Sequence, residues 1–136
     1  SPLTAHYLQS LLLSEVKDDL TELGVPDDIL EAFWIMVRDN ISTRGDLANW
    51  WTLCRDGADP LVNAEDADFV ESAMSLLPDG PFDSETWSTW TAAVRAETGR
   101  KGKQLFMPLR KALTGRETGP EMALLMPLMQ VIRARV

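Results

Sequence analysis

Residues 42–57 read STRGDLANWWTLCRDG and contain the clearest helical pattern in this 136-residue chain. Apolar residues recur at i, i+3, i+4 and i+7, which places them on one face of an α-helix. These residues are Leu47, Trp50, Trp51 and Cys54. Thr43 precedes the stripe with Asp46 three residues later, a spacing typical of a capping box, and Gly57 follows it. The segment therefore predicts a capped amphipathic helix.

The same periodicity extends through most of the chain. One helix is predicted before Gly24. Each later helix is predicted to begin at or just after a residue that caps or starts helices. These residues are Asp27, Asn63, Asp83 or Ser84, Pro108 and Pro120. Glycines and prolines separate the helices, and no segment shows the alternating pattern of a strand. The sequence therefore predicts an all-α fold.

The segment Pro78–Pro81 is rich in turn-forming residues and is the strongest internal boundary. A division there leaves two short helical segments, each with its own apolar stripes. The sequence therefore predicts two consecutive helical subdomains, residues 1–80 and 81–136.

Three helices are predicted in the second subdomain. The first has an inward face formed by Trp87, Trp90 and Val94. The second begins at Pro108, because proline suits the first helical position, and ends at Gly115. The third has an apolar face formed by Leu124, Leu125, Leu128 and Ile132. Pro127 interrupts that last pattern, so a break is expected near Met126.

Several functional classes find no support in the sequence. The single cysteine, Cys54, excludes an internal disulfide and favours a reducing, cytoplasmic setting, where it is expected to be a small buried residue. No apolar run is long enough to predict a membrane span. The single histidine, His6, has no cysteine or acid at metal-ligand spacing, and no phosphate-binding loop or nucleophile motif is present. We therefore expect neither a metal site nor catalytic residues.

The charge distribution is strongly uneven. Residues 1–94 contain 4 Lys and Arg against 18 Asp and Glu, a net charge of −14. Residues 95–116 contain 7 Lys and Arg against one acid, a net charge of +6, although the whole chain has a net charge of −8. A local cationic patch attracts a polyanion even on an acidic protein. The sequence therefore indicates an anion-binding segment near residue 100.

That patch falls within residues 99–123, GRKGKQLFMPLRKALTGRETGPEMA. Arg100, Lys101 and Lys103 are expected in a mobile glycine-containing loop, and Arg110 and Lys111 are expected to project from the following helix. A polar turn then leads to Gly119 and Pro120, where backbone groups can approach a ligand closely. Single-stranded RNA is read by such groups together with arginines and apolar stacking surfaces.

Within this segment lies the pattern Gly-Lys-x-Leu-x-x-Pro-Leu-Arg-x-Ala-Leu-Thr-Gly, with Gly-Pro a few residues on. The matching residues are Gly102, Lys103, Leu105, Pro108, Leu109, Arg110, Ala112, Leu113, Thr114, Gly115, Gly119 and Pro120. The pattern resembles the C-terminal signature of bacterial glutamyl-tRNA synthetases. Upstream, RDNISTRGDL at 38–47 resembles the family's basic residue followed by a Thr-containing turn and helix.

The resemblance implies two helical subdomains, an α-helix cage, that hold the anticodon loop of a tRNA. The cationic patch and the resemblance together give the predicted tRNA-binding residues. They are Arg38, Asn40, Arg44, Arg100, Lys101, Lys103, Arg110, Arg116, Thr118, Gly119, Pro120 and Met122. Asn40 stands where some members of the family use an arginine to check the third anticodon base, which leaves open whether glutamine tRNA is rejected.

The implied partners are the anticodon stem-loop of glutamate tRNA, glutamine tRNA as an open second ligand, and the catalytic half of the same protein. The family's nucleotide-binding signatures are absent here, so ATP and Mg²⁺ are expected only in that catalytic half. We expect a cytoplasmic monomer without cofactor in this segment. An alternative is an acidic helical module that binds proteins, suggested by the charge of residues 1–94. In a third interpretation, the acidic face repels RNA other than the anticodon loop.

Overall fold

The computed structural model describes residues 13–135, with the side chain of Arg135 excepted, so His6 lies outside the described residues. The α-helices of that range are α1 (Leu13–Leu23), α2 (Leu30–Val37), α3 (Arg44–Asp56), α4 (Ala67–Leu76), α5 (Thr86–Thr98), α6 (Lys103–Thr114) and α7 (Met122–Leu125). Short 3₁₀ turns lie at Asp27–Ile29, Arg38–Asn40, Ala64–Asp66, Met126–Leu128 and Arg133–Arg135. No strand occurs between residues 13 and 135, and the all-α prediction is confirmed there.

Helix α3 forms as its sequence predicts. All four residues of its apolar stripe are buried, and the ring of Trp51 meets Phe33 of α2 edge to face at 5.8 Å. At its start, Oδ2 of Asp46 accepts hydrogen bonds from the backbone N–H groups of Ser42 (2.7 Å) and Thr43 (3.1 Å). Burial raises the pKa of Cys54 to about 12, so this thiol is a packed apolar side chain, as predicted.

Helix α5 packs against α4 through a buried hydrogen bond. Nε1 of Trp90 donates to the carbonyl of Ala73 at 2.8 Å, and this carbonyl belongs to the last turn of α4. The indole therefore satisfies an acceptor that the helix end leaves without an intrahelical partner. Val94 is also buried, as predicted, but Trp87 is only half-buried.

The start of α6 differs from the prediction. The helix begins at Lys103, and Pro108 lies inside it. Proline cannot donate to the carbonyl of Gln104 four residues earlier. The guanidinium of Arg100 donates to that carbonyl instead, at 3.2 Å. A side chain from the connector just before α6 thus replaces the missing bond and lets the helix continue through the proline.

The last apolar stretch breaks where Pro127 predicts. Helix α7 ends at Leu125, and a 3₁₀ turn begins at Met126. Leu125 and Leu128 are buried, but Leu124 is 38% exposed, so the prediction of a single apolar face is wrong for Leu124. The change of helical type at Met126 ends the α-helical period on which that face depends.

A continuous hydrophobic cluster includes residues from both sides of the Pro78–Pro81 turn. Helix α2 contacts α7, and the backbone N–H of Gln130 donates to the carbonyl of Cys54 at 2.8 Å. The division at residues 80 and 81 stays a prediction. The segments on its two sides share one core.

Helices α3 and α5, with 13 residues each, are the longest in the described range. None of the helices there has the length and apolar character required to span a bilayer. Within residues 13–135, no group of three or more His, Cys, Asp or Glu is arranged to hold a metal ion.

Candidate nucleic-acid interface

The Pro-Leu-Arg helix and the Gly-Pro turn meet directly. Nη1 of Arg110, on α6, donates to the carbonyl of Pro120 at 3.0 Å. Burial lowers the pKa of the half-buried Arg110. The arginine forms no ion pair with any side chain of the described range. Its charge is therefore held beside the turn without an acid in ion-pair contact.

The turn itself is held by the end of α6. The hydroxyl of Thr114 donates to the carbonyl of Arg110 at 2.8 Å and accepts from the backbone N–H of Arg116 at 3.1 Å. Gly115 ends the helix with φ 70°, a conformation that favours glycine. These bonds direct residues 116–119 back across α3.

One cleft, which we call the α6 cleft, opens beside Arg110 with a volume of about 440 Å³. It is lined by Trp87, Lys103, Phe106, Met107, Arg110, Glu121, Met122 and Ala123. Phe106 is 44% exposed, and its ring lies 6.1 Å from that of Trp87. Aromatic faces beside cationic side chains suit unpaired bases and their phosphates.

A second cleft, the Arg116 cleft, has a volume of about 250 Å³. It is lined by Asn40, Asp46, Trp50, Arg116, Thr118 and Gly119. The guanidinium of Arg116 lies 4.5 Å from the centre of the Trp50 ring. This cleft joins the predicted turn before α3 to the predicted turn after α6, although more than 70 residues separate them in the chain.

Gly119 permits that approach. A Cβ at this position would lie 2.8 Å from Cη2 of Trp50 and 3.3 Å from Nη1 of Arg110. Only a residue without a side chain therefore fits between the two clefts.

Some of the predicted residues have structural roles. Arg100 lies in the connector between α5 and α6, as predicted, but its guanidinium pairs with Asp66 at 2.8 Å and covers the ring of Phe69 on α4 at 4.1 Å. Its charge is therefore paired with an acid that directly precedes α4. Lys111 is only 9% exposed and does not project from α6 as expected.

The remaining predicted cations are exposed. Arg38 and Lys101 lie on the surface, and Lys103 borders the α6 cleft. Arg44 is also exposed but forms an ion pair with Asp19 on α1. Arg38, Lys101 and Arg44 do not line either of the two clefts.

Two residues of the predicted turn point into the protein. Pro120 is buried, and Met122 is 3% exposed within the core cluster. Their side chains hold the turn in position, and the polar groups beside the clefts come from Arg110 and Arg116 to Gly119.

Seven residues that line the two clefts were not predicted from the sequence, namely Asp46, Trp50, Trp87, Phe106, Met107, Glu121 and Ala123. Asp46 and Trp50 were explained fully as a cap and a core residue, and Trp87 as part of an inward helix face. Their helical spacing is the same whether a side chain is covered or borders a cleft. Only the tertiary arrangement shows that they flank the cationic turn.

The sequence of residues 26–132 matches the protein family described as anticodon binding domain. The chain belongs to that family. This anticodon-binding domain is similar to part of the glutamate–tRNA ligase 1 of Ruegeria pomeroyi, with 62% identity over 134 residues. The corresponding proteins of Roseobacter denitrificans and Cereibacter sphaeroides are 60% and 56% identical to it over the same length.

In each case the alignment covers 98% of this chain and 30% of the relative. The anticodon-binding domain thus spans less than a third of the length of these ligases. The family match favours RNA binding over the acidic protein-interaction module.

Proposed function

We propose that this anticodon-binding domain binds the anticodon loop of glutamate tRNA as part of a cytoplasmic, monomeric glutamate–tRNA ligase. Glutamine tRNA is a second candidate ligand. The joining of glutamate to tRNA, with ATP and Mg²⁺, belongs in this proposal to the part of the ligase beyond these residues. The observation that carries the proposal is the contact of Arg110 with Pro120, which places the α6 cleft and the Arg116 cleft on either side of one turn.

The geometry supports separate sites for the bases and for the phosphates of the RNA. Unpaired loop bases can stack on Phe106 and on the guanidinium of Arg116, which lies over Trp50. Polar groups of residues 116–119 then face the base edges. Lys101 and Lys103 are exposed beside the start of α6, where they can neutralise phosphates.

Substitution of Arg110 by glutamate in the full-length ligase tests the proposal. We expect weaker binding of glutamate tRNA by about 1–3 kcal/mol, because a cation facing the RNA becomes an anion. Arg95→Glu is the matched control, since Arg95 is exposed on α5 and lines neither cleft. Equal dissociation constants for the wild type and Arg110→Glu would exclude Arg110 from the interface.

A salt titration tests the phosphate contacts separately. Lys101→Ala and Lys103→Ala should each reduce the dependence of log Kd on log salt concentration by roughly one ion. Base preference should not change, because phosphates are common to all sequences. An unchanged salt dependence would remove that lysine from the phosphate contacts.

A further inference from the structure

Asp46 has acceptor capacity that the fold does not use. Its two backbone hydrogen bonds, from Ser42 and Thr43, both end on Oδ2. A carboxylate can accept about four hydrogen bonds, and Oδ1 lies on the other side of the group. The side chain lines the Arg116 cleft, whose volume is about 250 Å³.

The Asp46 carboxyl group is negatively charged at neutral pH. The backbone N–H of Ser42 lowers the pKa of Asp46; partial burial opposes this effect, while Thr43 and the charge of Arg116 add to it. The group is therefore ionised at neutral pH and can only accept hydrogen bonds. The same bonds that cap α3 also hold the carboxylate in one orientation.

Donors face this acceptor across the cleft. Arg116 lies over Trp50 and its charge lowers the pKa of Asp46, but the two side chains do not form an ion pair. Asn40 contributes an amide at the rim of the same cleft. The Asp46 acceptor and the Arg116 and Asn40 donors therefore line the same open cleft.

We propose that the Asp46 carboxylate determines base specificity by accepting a hydrogen bond from the exocyclic amino group of an unpaired cytosine in the Arg116 cleft. This inference rests on the proposed function. Cytosine presents the N4 amino donor beside the N3 acceptor, which matches Asp46 on one side and Arg116 or Asn40 on the other. Uracil presents O4 in place of N4, and two acceptors then face each other without a proton between them.

The experiment uses the full-length ligase and glutamate tRNA transcripts in which each anticodon-loop cytosine is replaced in turn by uracil. At one position the wild type should bind the cytosine form about 5- to 150-fold more tightly. Asp46→Asn should abolish or invert this ratio. Its amide oxygen can still accept from Ser42 and Thr43, while its NH₂ group presents a donor that suits uracil O4.

Thr43→Ala is the matched control, because it weakens the same cap but leaves the carboxylate in place. It should not change the ratio between cytosine and uracil. Equal losses of affinity for both bases in Asp46→Asn would show that Asp46 is only a cap and would overturn the inference.

A substitution in the RNA keeps the test valid if Asp46→Asn does not fold. A 2-pyrimidinone base lacks the amino group but keeps N3, so the wild type should bind it less tightly than cytosine at the same position. If the wild type binds the uracil and 2-pyrimidinone forms as tightly as the cytosine form at every position, this inference alone is overturned. Failure of the wild type to bind any glutamate tRNA transcript would instead overturn the proposed function.

Discussion

Gly119 shows how a single residue decides whether the two clefts can adjoin. The turn after α6 passes so close to Trp50 that a Cβ would contact the indole at 2.8 Å. Trp50 is buried and cannot move away without disturbing the core. The glycine is therefore required by packing between distant segments.

We expect Gly119→Ala to lower the free energy of unfolding by about 1–3 kcal/mol, the usual cost of an added methyl group in a tightly packed place. It should also weaken tRNA binding, because the shifted turn would displace Arg110 and Arg116. Chemical denaturation and binding titrations measure the two effects.

Gly45→Ala is the control for this substitution. Gly45 lies in the first turn of α3, and a Cβ there would lie 3.6 Å from Oγ1 of Thr43, an ordinary contact. This variant should be as stable as the wild type or more stable by up to about 1 kcal/mol. Equal free energies of unfolding for Gly119→Ala and Gly45→Ala would show that the turn adjusts without cost.

At the scale of single elements, the start of α3 depends on an ionised side chain. The folded protein lowers the pKa of Asp46 below the ordinary value of 3.8, chiefly through the N–H of Ser42. The resulting stabilisation is fully present above the unfolded-state pKa and is lost as the pH falls through the lower folded-state pKa.

The stability difference between the wild type and Asp46→Asn should consequently be largest near neutral pH and shrink below about pH 4. Urea denaturation at a series of pH values measures this difference. A difference that stays constant to the lowest accessible pH would show that the charge does not contribute.

Helix α6 depends on a residue outside it. Arg100 replaces the backbone donor that Pro108 lacks and pairs with Asp66 on the neighbouring segment. Although Arg100 belongs to the cationic patch, its guanidinium has a structural role, because it links the start of α6 to the residue before α4.

Arg100→Ala should lower the free energy of unfolding by about 1–3 kcal/mol, because it leaves the Gln104 carbonyl and Asp66 without this donor. The neighbouring Lys101→Ala, at an exposed position, should change it by less than about 0.5 kcal/mol. Thermal denaturation of the two variants distinguishes them. Equal stabilities would contradict a structural role for Arg100.

At the scale of the whole molecule, the two predicted subdomains share buried contacts. Trp90 on α5 donates to Ala73 on α4, and α2 contacts α7. Because these contacts join segments before and after residue 80, loss of one segment would expose apolar surface on the other.

We therefore expect residues 13–135 to unfold in a single cooperative transition. Trp90→Phe should move the whole transition and lower stability by about 1–3 kcal/mol, since it removes the donor to a buried carbonyl. Circular dichroism and calorimetry should report the same midpoint. Trp87→Phe, at a half-buried position, should have a smaller effect; two separate transitions would contradict the shared core.

The sequence by itself determined the helical class, the stripe and cap of α3, and the break at Met126. These features follow from spacing, side-chain hydrogen bonding and proline geometry within a few residues. It also indicated Arg110 and the Gly-Pro turn as neighbours, because the motif places them only ten residues apart.

Only the tertiary structure decided which cations are available to a ligand and which residues flank the turn. Arg100 pairs with Asp66, 34 residues away, while Arg116 rests on Trp50 from α3. A linear pattern records the type and spacing of side chains. Whether a charge is paired, buried or free depends on residues far along the chain, and folding alone brings those residues together.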